Sequence, residues 1–373
     1  MRRWRRLAAA IGLLAAATAA PAETLRGICP DPLVVQLDWL PEAEHGGLFT
    51  LIGPRGRMRQ GRYEGPLGTS GIRLILLAGG KGIGLGDGET SLSALYMGNS
   101  RAGLRPHLAL VDLDSAYTYS ARFPAVGVMA PLNASPIGLF WDRATYPRGF
   151  RSVADLRRFA ATGEKIYLST TRRTFGRYLL DQGIPRDAFV EGYSGDGENF
   201  VLHRGRWLNQ GSITTEGYQF AHGRRWSRPV DFLLLSEMGY PLYPGMVSVA
   251  TSRMAELAPC LTKLVPLMQR AQRAYALNPA PANDVIYRFN EAKLGAPFWH
   301  TSRDLLAAAV PVMRARGIIA NGPGGTIGAF DGARGATVLA RMRPTLDIRA
   351  RKGLRPGHVM TNRFLDRSIG LPR

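Results

Sequence analysis

The residues best equipped for chemistry crowd into one short stretch. Asp38, Trp39, Glu42, Glu44 and His45 place three carboxylates, an indole and an imidazole close together, ahead of Gly46-Gly47. Just before them, Leu33–Leu37 is a β-branched apolar run of the kind a buried strand uses, and Pro41 opposes helical continuation through Leu40. The pattern predicts a loop at the carboxyl end of a strand, turned tightly by the glycine pair and facing a ligand. The alternative is that Trp39 caps the core while Glu42, Glu44 and His45 are solvated. A second concentration is Ser169-Thr170-Thr171-Arg172-Arg173-Thr174, ahead of a helical pattern ending at Gly183. Hydroxyls, arginines and the N–H groups of a helix start suit an anionic or carbonyl-bearing group, unless Thr170 and Thr174 merely cap the helix and the arginines are solvated. The aromatic faces of Trp39, Tyr193, Tyr218, Tyr240 and Tyr243 could stack on a flat π-system.

Other chemistries find little support. The Gly-rich run Gly79–Gly88 lacks the Gly-Lys-Ser/Thr that closes a phosphate loop, and there is no Gly-x-Ser-x-Gly nucleophile elbow. None of the six histidines pairs with another at i, i+4, and two distant cysteines offer no zinc spacing, so neither a metal nor another cofactor is expected. The net charge of +20 favours anionic surfaces or ligands, yet the basic residues are scattered arginines without a nucleic-acid-binding motif, and nucleic acid is set aside.

Met1–Arg6 is basic, Leu7–Ala19 apolar and Ala20-Pro21-Ala22 a small-x-small site, the order of a secretory signal peptide over residues 1–22. Export without a lipid anchor is expected, with Glu23 starting the mature chain. In an oxidising compartment Cys29 and Cys260 could form a disulfide; two buried thiols are the alternative.

The elements that must position these residues alternate. Strands are predicted at 33–37, 72–78, 107–113, 125–129, 165–168, 189–193, 211–214, 232–236 and 245–250. A helix is predicted over 90–97, another capped by Asp114 or Ser115, a third capped by Ser152 and ended by Gly163, and turns through 55–71. Beyond 253 the chain reads as helices over 253–258, 261–277, 284–293 and 302–316, with Pro259 and Pro311 as breaks. Such alternation predicts an α/β chain with doubly wound, mostly parallel sheets, whose ligands sit outside the carboxyl ends of the strands. That rule selects the loops starting at Asp38, Gly79, Asp112 and Ala130, and with the third of them Asp114.

Asp38-Trp39-Leu40-Pro41-Glu42-Ala43-Glu44-His45-Gly46-Gly47-Leu48 resembles the Asp-Trp-x-Pro-Asn-x-Asn-His-x-Gly-Leu signature of periplasmic substrate-binding proteins of ABC importers, in the thiamine-pyrimidine-precursor and nitrate/sulfonate/taurine group. Both signature asparagines are glutamates here, so groups that donate and accept become groups that, ionised, only accept. Ala130–Leu139 resembles the family's first interlobe crossover, and the segment from Phe232 to Ala250 its return. The resemblance implies a two-lobed, type II fold with a ligand cleft between the lobes: lobe 1 over 23–132, lobe 2 over 133–241, and a largely helical return to lobe 1 over 242–373. It also implies ligand-facing roles for Asn133 and Ser135 in the crossover and for Glu216 and Tyr218 after a lobe 2 strand. The site expected from residues and resemblance together is Asp38, Trp39, Glu42, His45, Asp114, Asn133, Ser135, Thr170, Thr171, Tyr193, Glu216, Tyr218 and Tyr240.

The function that follows is a monomeric, periplasmic solute-binding component rather than an enzyme, delivering its ligand to a permease in the inner membrane. A nitrogen heterocycle of the thiamine-pyrimidine kind suits the aromatic residues, with Trp39 stacking and Glu216 accepting a hydrogen bond from the opposite lobe. A sulfonate, nitrate or carboxylate suits the arginines and the Thr170–Thr174 loop. A thiamine-pyrimidine synthase-like enzyme and a periplasmic sensor domain are the remaining alternatives.

Overall fold

A computed structural model of the chain describes residues 24–80, 84–172, 174–193, 195, 197–292, 301–346 and 349–372. Residues 1–22, expected from the sequence to be a signal peptide, Lys81 and the end of the helix predicted to reach Lys293 lie outside them. Two β-sheets organise the chain. The first takes β1 (Leu33–Gln36), β2 (Arg57–Arg59), β3 (Arg62–Pro66), β4 (Arg73–Leu77), β5 (Leu108–Val111) and β6 (Ala125–Met129). The second takes β7 (Ile137–Asp142), β8 (Ile166–Leu168), β9 (Phe189–Glu191), β10 (Leu208–Ser212) and β11 (Val230–Leu234), and the chain then returns to the first with β12 (Met246–Ala250).

Both sheets follow one plan. The first runs β2-β3-β4-β1-β5-β12-β6 and the second β11-β7-β10-β8-β9. In each, three parallel strands (β4-β1-β5 and β9-β8-β10) are joined by one antiparallel strand arriving from the other half, β12 or β7, which then pairs with the last strand. Because β7 and β12 each enter the opposite sheet, the chain crosses between the lobes twice. Arg334 ties these crossings together: its guanidinium donates to the Pro241 and Leu242 carbonyls (2.7 and 2.8 Å) and to Asn133 Oδ1 (3.4 Å) while lying over the Tyr243 ring.

Several local expectations are corrected. Residues 57–66 form the β2-β3 hairpin on the sheet edge, where the sequence suggested turns; alternating Tyr63 and Glu64 let one face bury while the other pairs with Arg59 and Arg62. Gly46-Gly47 is no turn but the start of the helix Gly46–Ile52, which packs on the helix Met254–Leu277. A Cβ on Gly46 would lie 2.0 Å from Tyr275 Cζ and one on Gly47 1.8 Å from Gln272 Oε1, so these glycines serve close helix packing. Met254–Leu277 runs unbroken through Pro259 and Pro266, and Arg303–Ala315 through Pro311. An interior proline costs about 3 kcal/mol, but each Leu-sized side chain buried returns roughly 1.5–3 kcal/mol, and Leu257, Leu261, Leu264, Val265 and Met268 form one buried stripe. The helix after β5, Leu113–Thr118, has Asp112 rather than Asp114 or Ser115 at its N-cap position, and the helix Gly332–Met342 answers to no sequence expectation.

Cys29 and Cys260 are joined in a disulfide, with Cα atoms 4.8 Å apart across a sequence separation of 231. It fastens the segment entering β1 to the helix that follows β12. Among the described residues no helix is long and apolar enough to cross a membrane.

Candidate functional site

The carboxyl ends of β1, β4 and β5 converge on the gap between the sheets, because three parallel strands release their loops on one side. There a cavity of about 350 Å³ is lined from the first lobe by Asp38, Trp39, Gly80, Asp112 and Ser115. The second lobe supplies Arg172, Arg177, Tyr178 and Asp181, from the loop after β8 and the helix Thr174–Asp181. Tyr240 from the return crossing closes one side, and Arg341 and Arg349 reach in from the C-terminal region, close to Tyr119.

Asp38 is held rather than loose. His45, only 3% exposed, has its Nε2 2.8 Å from Asp38 Oδ1, while its Nδ1 accepts the Glu42 backbone N–H at 3.2 Å. Since Nδ1 accepts, the ring proton sits on Nε2 and is donated to Asp38. Both ring nitrogens are thereby occupied, and His45 positions Asp38 instead of facing a ligand. Trp39 beside it is 38% exposed and lines the cavity, so it is not the core cap that the alternative reading supposed.

Asp112 accepts the Gly245 N–H (2.8 Å), fixing the return crossing to the end of β5. Burial, then the charges of Asp114 and Asp38, push its carboxyl pKa up. Asp114 is almost fully buried; its Oδ1 accepts the Ser115 N–H (2.7 Å), and burial raises its pKa as well. Raised carboxyl pKa values reduce negative charge at Asp112 and, behind it, Asp114, whereas Glu89, also in the lining, is shifted down. On the opposite wall Arg177 pairs with Asp181 (3.0 Å), whereas the guanidiniums of Arg172 and Arg341 have no carboxylate partner among the described residues. Aromatic faces flank the two C-terminal cations: Arg341 lies 5.9 Å from the Tyr178 ring centroid and Arg349 5.4 Å from that of Tyr119. The arrangement can hold an anionic group at the arginines while a flat body lies against Trp39, Tyr178 or Tyr240.

The residues expected from the sequence therefore divide. Asp38, Trp39 and Tyr240 meet at the cavity, with Asp114 directly behind it through the 3.4 Å contact to the Tyr240 hydroxyl. Glu42 and Glu216 belong to a separate carboxylate cluster at the junction of the lobes, where Tyr193 donates its hydroxyl to Glu216. Asn133 is engaged with Gly317 and Arg334, Ser135 Oγ accepts the Ile137 N–H, and Thr170 and Thr171 both donate to Glu191. Tyr218 stacks on His222. Arg177 and Asp181, at i and i+4 on one helix face, and Tyr178 next to them escaped sequence reasoning although the flagged Thr170–Thr174 loop starts that helix. Arg341 and Arg349 carried no such signal, since no motif links the C-terminal region to a cleft built by distant strands.

No protein-family model matches the chain, and neither does any curated protein. Solved structures do. The alkanesulfonate-binding protein SsuA from Xanthomonas axonopodis pv. citri, bound to MOPS, superposes with a TM-score of 0.52 at 10% identity, covering 89% of this chain and 99% of that one. A protein from Methylobacillus flagellatus KT described as the periplasmic sulfonate-binding protein SsuA of a sulfonate ABC transporter gives 0.53 at 10% identity, covering 90% and 93%. An ABC transporter protein from Parabacteroides distasonis gives 0.51 at 10% identity, covering 88% and 99%. At such identity the likeness is one of fold: the chain has the two-lobed α/β architecture of periplasmic binding proteins.

Proposed function

We propose that the protein is an exported solute-binding component of an ABC import system, and that it captures a small organic anion with a flat or aromatic body in the cavity between its lobes. The observation that carries this reading is the pair Arg172 and Arg341, two guanidiniums from different parts of the chain that line one cavity without carboxylate partners among the described residues. A charge-assisted hydrogen bond from such a group contributes roughly 1.5–3 kcal/mol, enough to set ligand class. The sulfonate ligands named for the fold neighbours agree with an anion. The heterocycle reading ranks second. Glu42 and Glu216, which would accept from ring N–H groups, do not line the cavity, although Trp39 and Tyr240 would still stack. Binding rather than catalysis is favoured because His45, the histidine beside the cavity residues, has both nitrogens bonded. Delivery to a membrane permease completes the role.

A thermal-shift screen of the mature protein tests the ligand class, since binding to the folded state raises the melting temperature. Aromatic and aliphatic sulfonates, nitrate, carboxylates, pyrimidines and flavins form the panel. Organic anions are expected to give the largest increases; an increase confined to neutral pyrimidines or flavins would move the proposal to the heterocycle.

A further inference from the structure

The junction of the lobes holds a polar contact that the cavity does not use. Glu44, in the turn Ala43–His45 of the first lobe, accepts hydrogen bonds from Ser212 Oγ (3.2 Å) and Thr214 Oγ1 at the end of β10 in the second. The same serine donates its backbone N–H to Glu216 Oε2 at 2.8 Å. Carboxylates from opposite lobes thus converge on Ser212. Glu216 is 7% exposed, and Glu44 Oε2 is buried without a hydrogen-bond partner. Glu42 completes the group, feeling the charges of Glu44, of Asp38 at the cavity and of Glu216.

On the cluster's own segment stand Asp38, the two glutamates and His45, whose ring nitrogens are both taken up by Asp38 and the Glu42 N–H. The helix Ala280–Glu291 offers the Asn290 amide, which donates to the Pro41 carbonyl (2.9 Å), and the helix Met254–Leu277 offers Tyr275, which feels the Glu44 charge. The nearby helix Arg303–Ala315 carries Arg303, whose guanidinium pairs with Asp284, and the exposed Asp304 and Arg314. From the second lobe come Glu216 itself and the Tyr193 hydroxyl. Among the described residues no arginine or lysine forms an ion pair with Glu42, Glu44 or Glu216. An acidic junction without a countercharge can come together cheaply only if it takes up protons.

We propose that this junction is a proton-linked latch: the lobes take up protons at Glu42 and Glu216, beside the Glu44 contact, as they close, so acidification favours the closed, solute-retaining form. The inference rests on the reading that the lobes close around a solute, and it adds a regulator to that cavity. Burial first, then like charges, raise the Glu42 pKa well above its usual range, and burial first raises that of Glu216. For acids whose pKa is higher in the closed form, closure is favoured fully below the open-form value and loses that support as pH rises through the closed-form value. Each unit of difference changes the ratio of open to closed protein about tenfold.

Small-angle scattering on the protein without solute, from about pH 5 to about pH 9, reads the latch directly. The wild type is expected to show a smaller radius of gyration at the acid end and expansion towards the alkaline end. Glu216→Gln and, independently, Glu42→Gln should flatten this dependence and stay compact at the alkaline end, with circular dichroism verifying that each variant is folded. A radius that does not change with pH in the wild type, or folded variants that follow the wild-type curve, would overturn the latch. Because no solute is present, failure of the latch and failure of the anion reading are separate outcomes.

Discussion

Replacing Cys29 and Cys260 by alanine is expected to lower the folding stability by about 5 kcal/mol. The bridge spans a sequence separation of 231 residues and links the segment entering β1 to a helix laid down after the whole second lobe. In the chain-entropy account the stabilisation grows with the logarithm of the closed loop, so a bridge over most of the chain sits near the top of the range. Packing adds a smaller term, since Cys260 is almost fully buried within the stripe of Met254–Leu277. Denaturant melts of the oxidised protein and the double variant would show it as a lowered midpoint at similar slope. Coincident curves would mean that the helix holds its place on lobe 1 without the cross-link.

Gly46→Ala should destabilise the first lobe, by about 3 kcal/mol net. Helix propensity alone predicts the opposite, because alanine is favoured over glycine by about 1 kcal/mol inside a helix. Sterics decide the sign. The added Cβ would lie 2.0 Å from Tyr275 Cζ, and that ring cannot step aside: it is fully buried, and its hydroxyl donates to Asn283 Oδ1 at 2.9 Å. Asn283 is fixed in turn by its amide, which donates to the Leu306 carbonyl (2.8 Å), so relief requires three helices to move. A melting temperature equal to or above that of the wild type would show that the helix Gly46–Ile52 can slide on Met254–Leu277.

The difference between what the chain discloses and what it conceals follows from the range of the interactions. Strands such as Ala125–Met129 and caps such as Ser152, whose Oγ accepts the Asp155 N–H, are local matters of apolar runs and side-chain chemistry, and they were legible. Gly46-Gly47 was misread because the partner that demands a missing side chain, Tyr275, is remote in sequence. Pro259 and Pro311 were misread for the same reason: burial against distant elements outweighs the local cost of a proline. In the site, the motif around Asp38 marked one end of the cleft, and the Thr170–Thr174 loop lay beside the helix that supplies Arg177 and Tyr178. Of the acids of that motif, Asp38 lines the cavity while Glu42 and Glu44 lie at the junction, and periodicity does not encode this. Arg341 joins the site only because the helix Gly332–Met342 packs next to the crossings that Arg334 ties together.

Anion capture by the cavity arginines is the centre of the account, and a titration calorimetry comparison tests it most directly. The organic anion giving the largest thermal shift is titrated, beside its uncharged analogue, into the wild type and into Arg172→Ala, Arg341→Ala and the double variant. The account predicts that the uncharged analogue binds at least about tenfold more weakly, and that each arginine removed costs roughly tenfold or more in affinity while the unliganded melting temperature stays near that of the wild type. Equal affinity for the anion and its neutral analogue, or a double variant that binds the anion as tightly as the wild type, would contradict it.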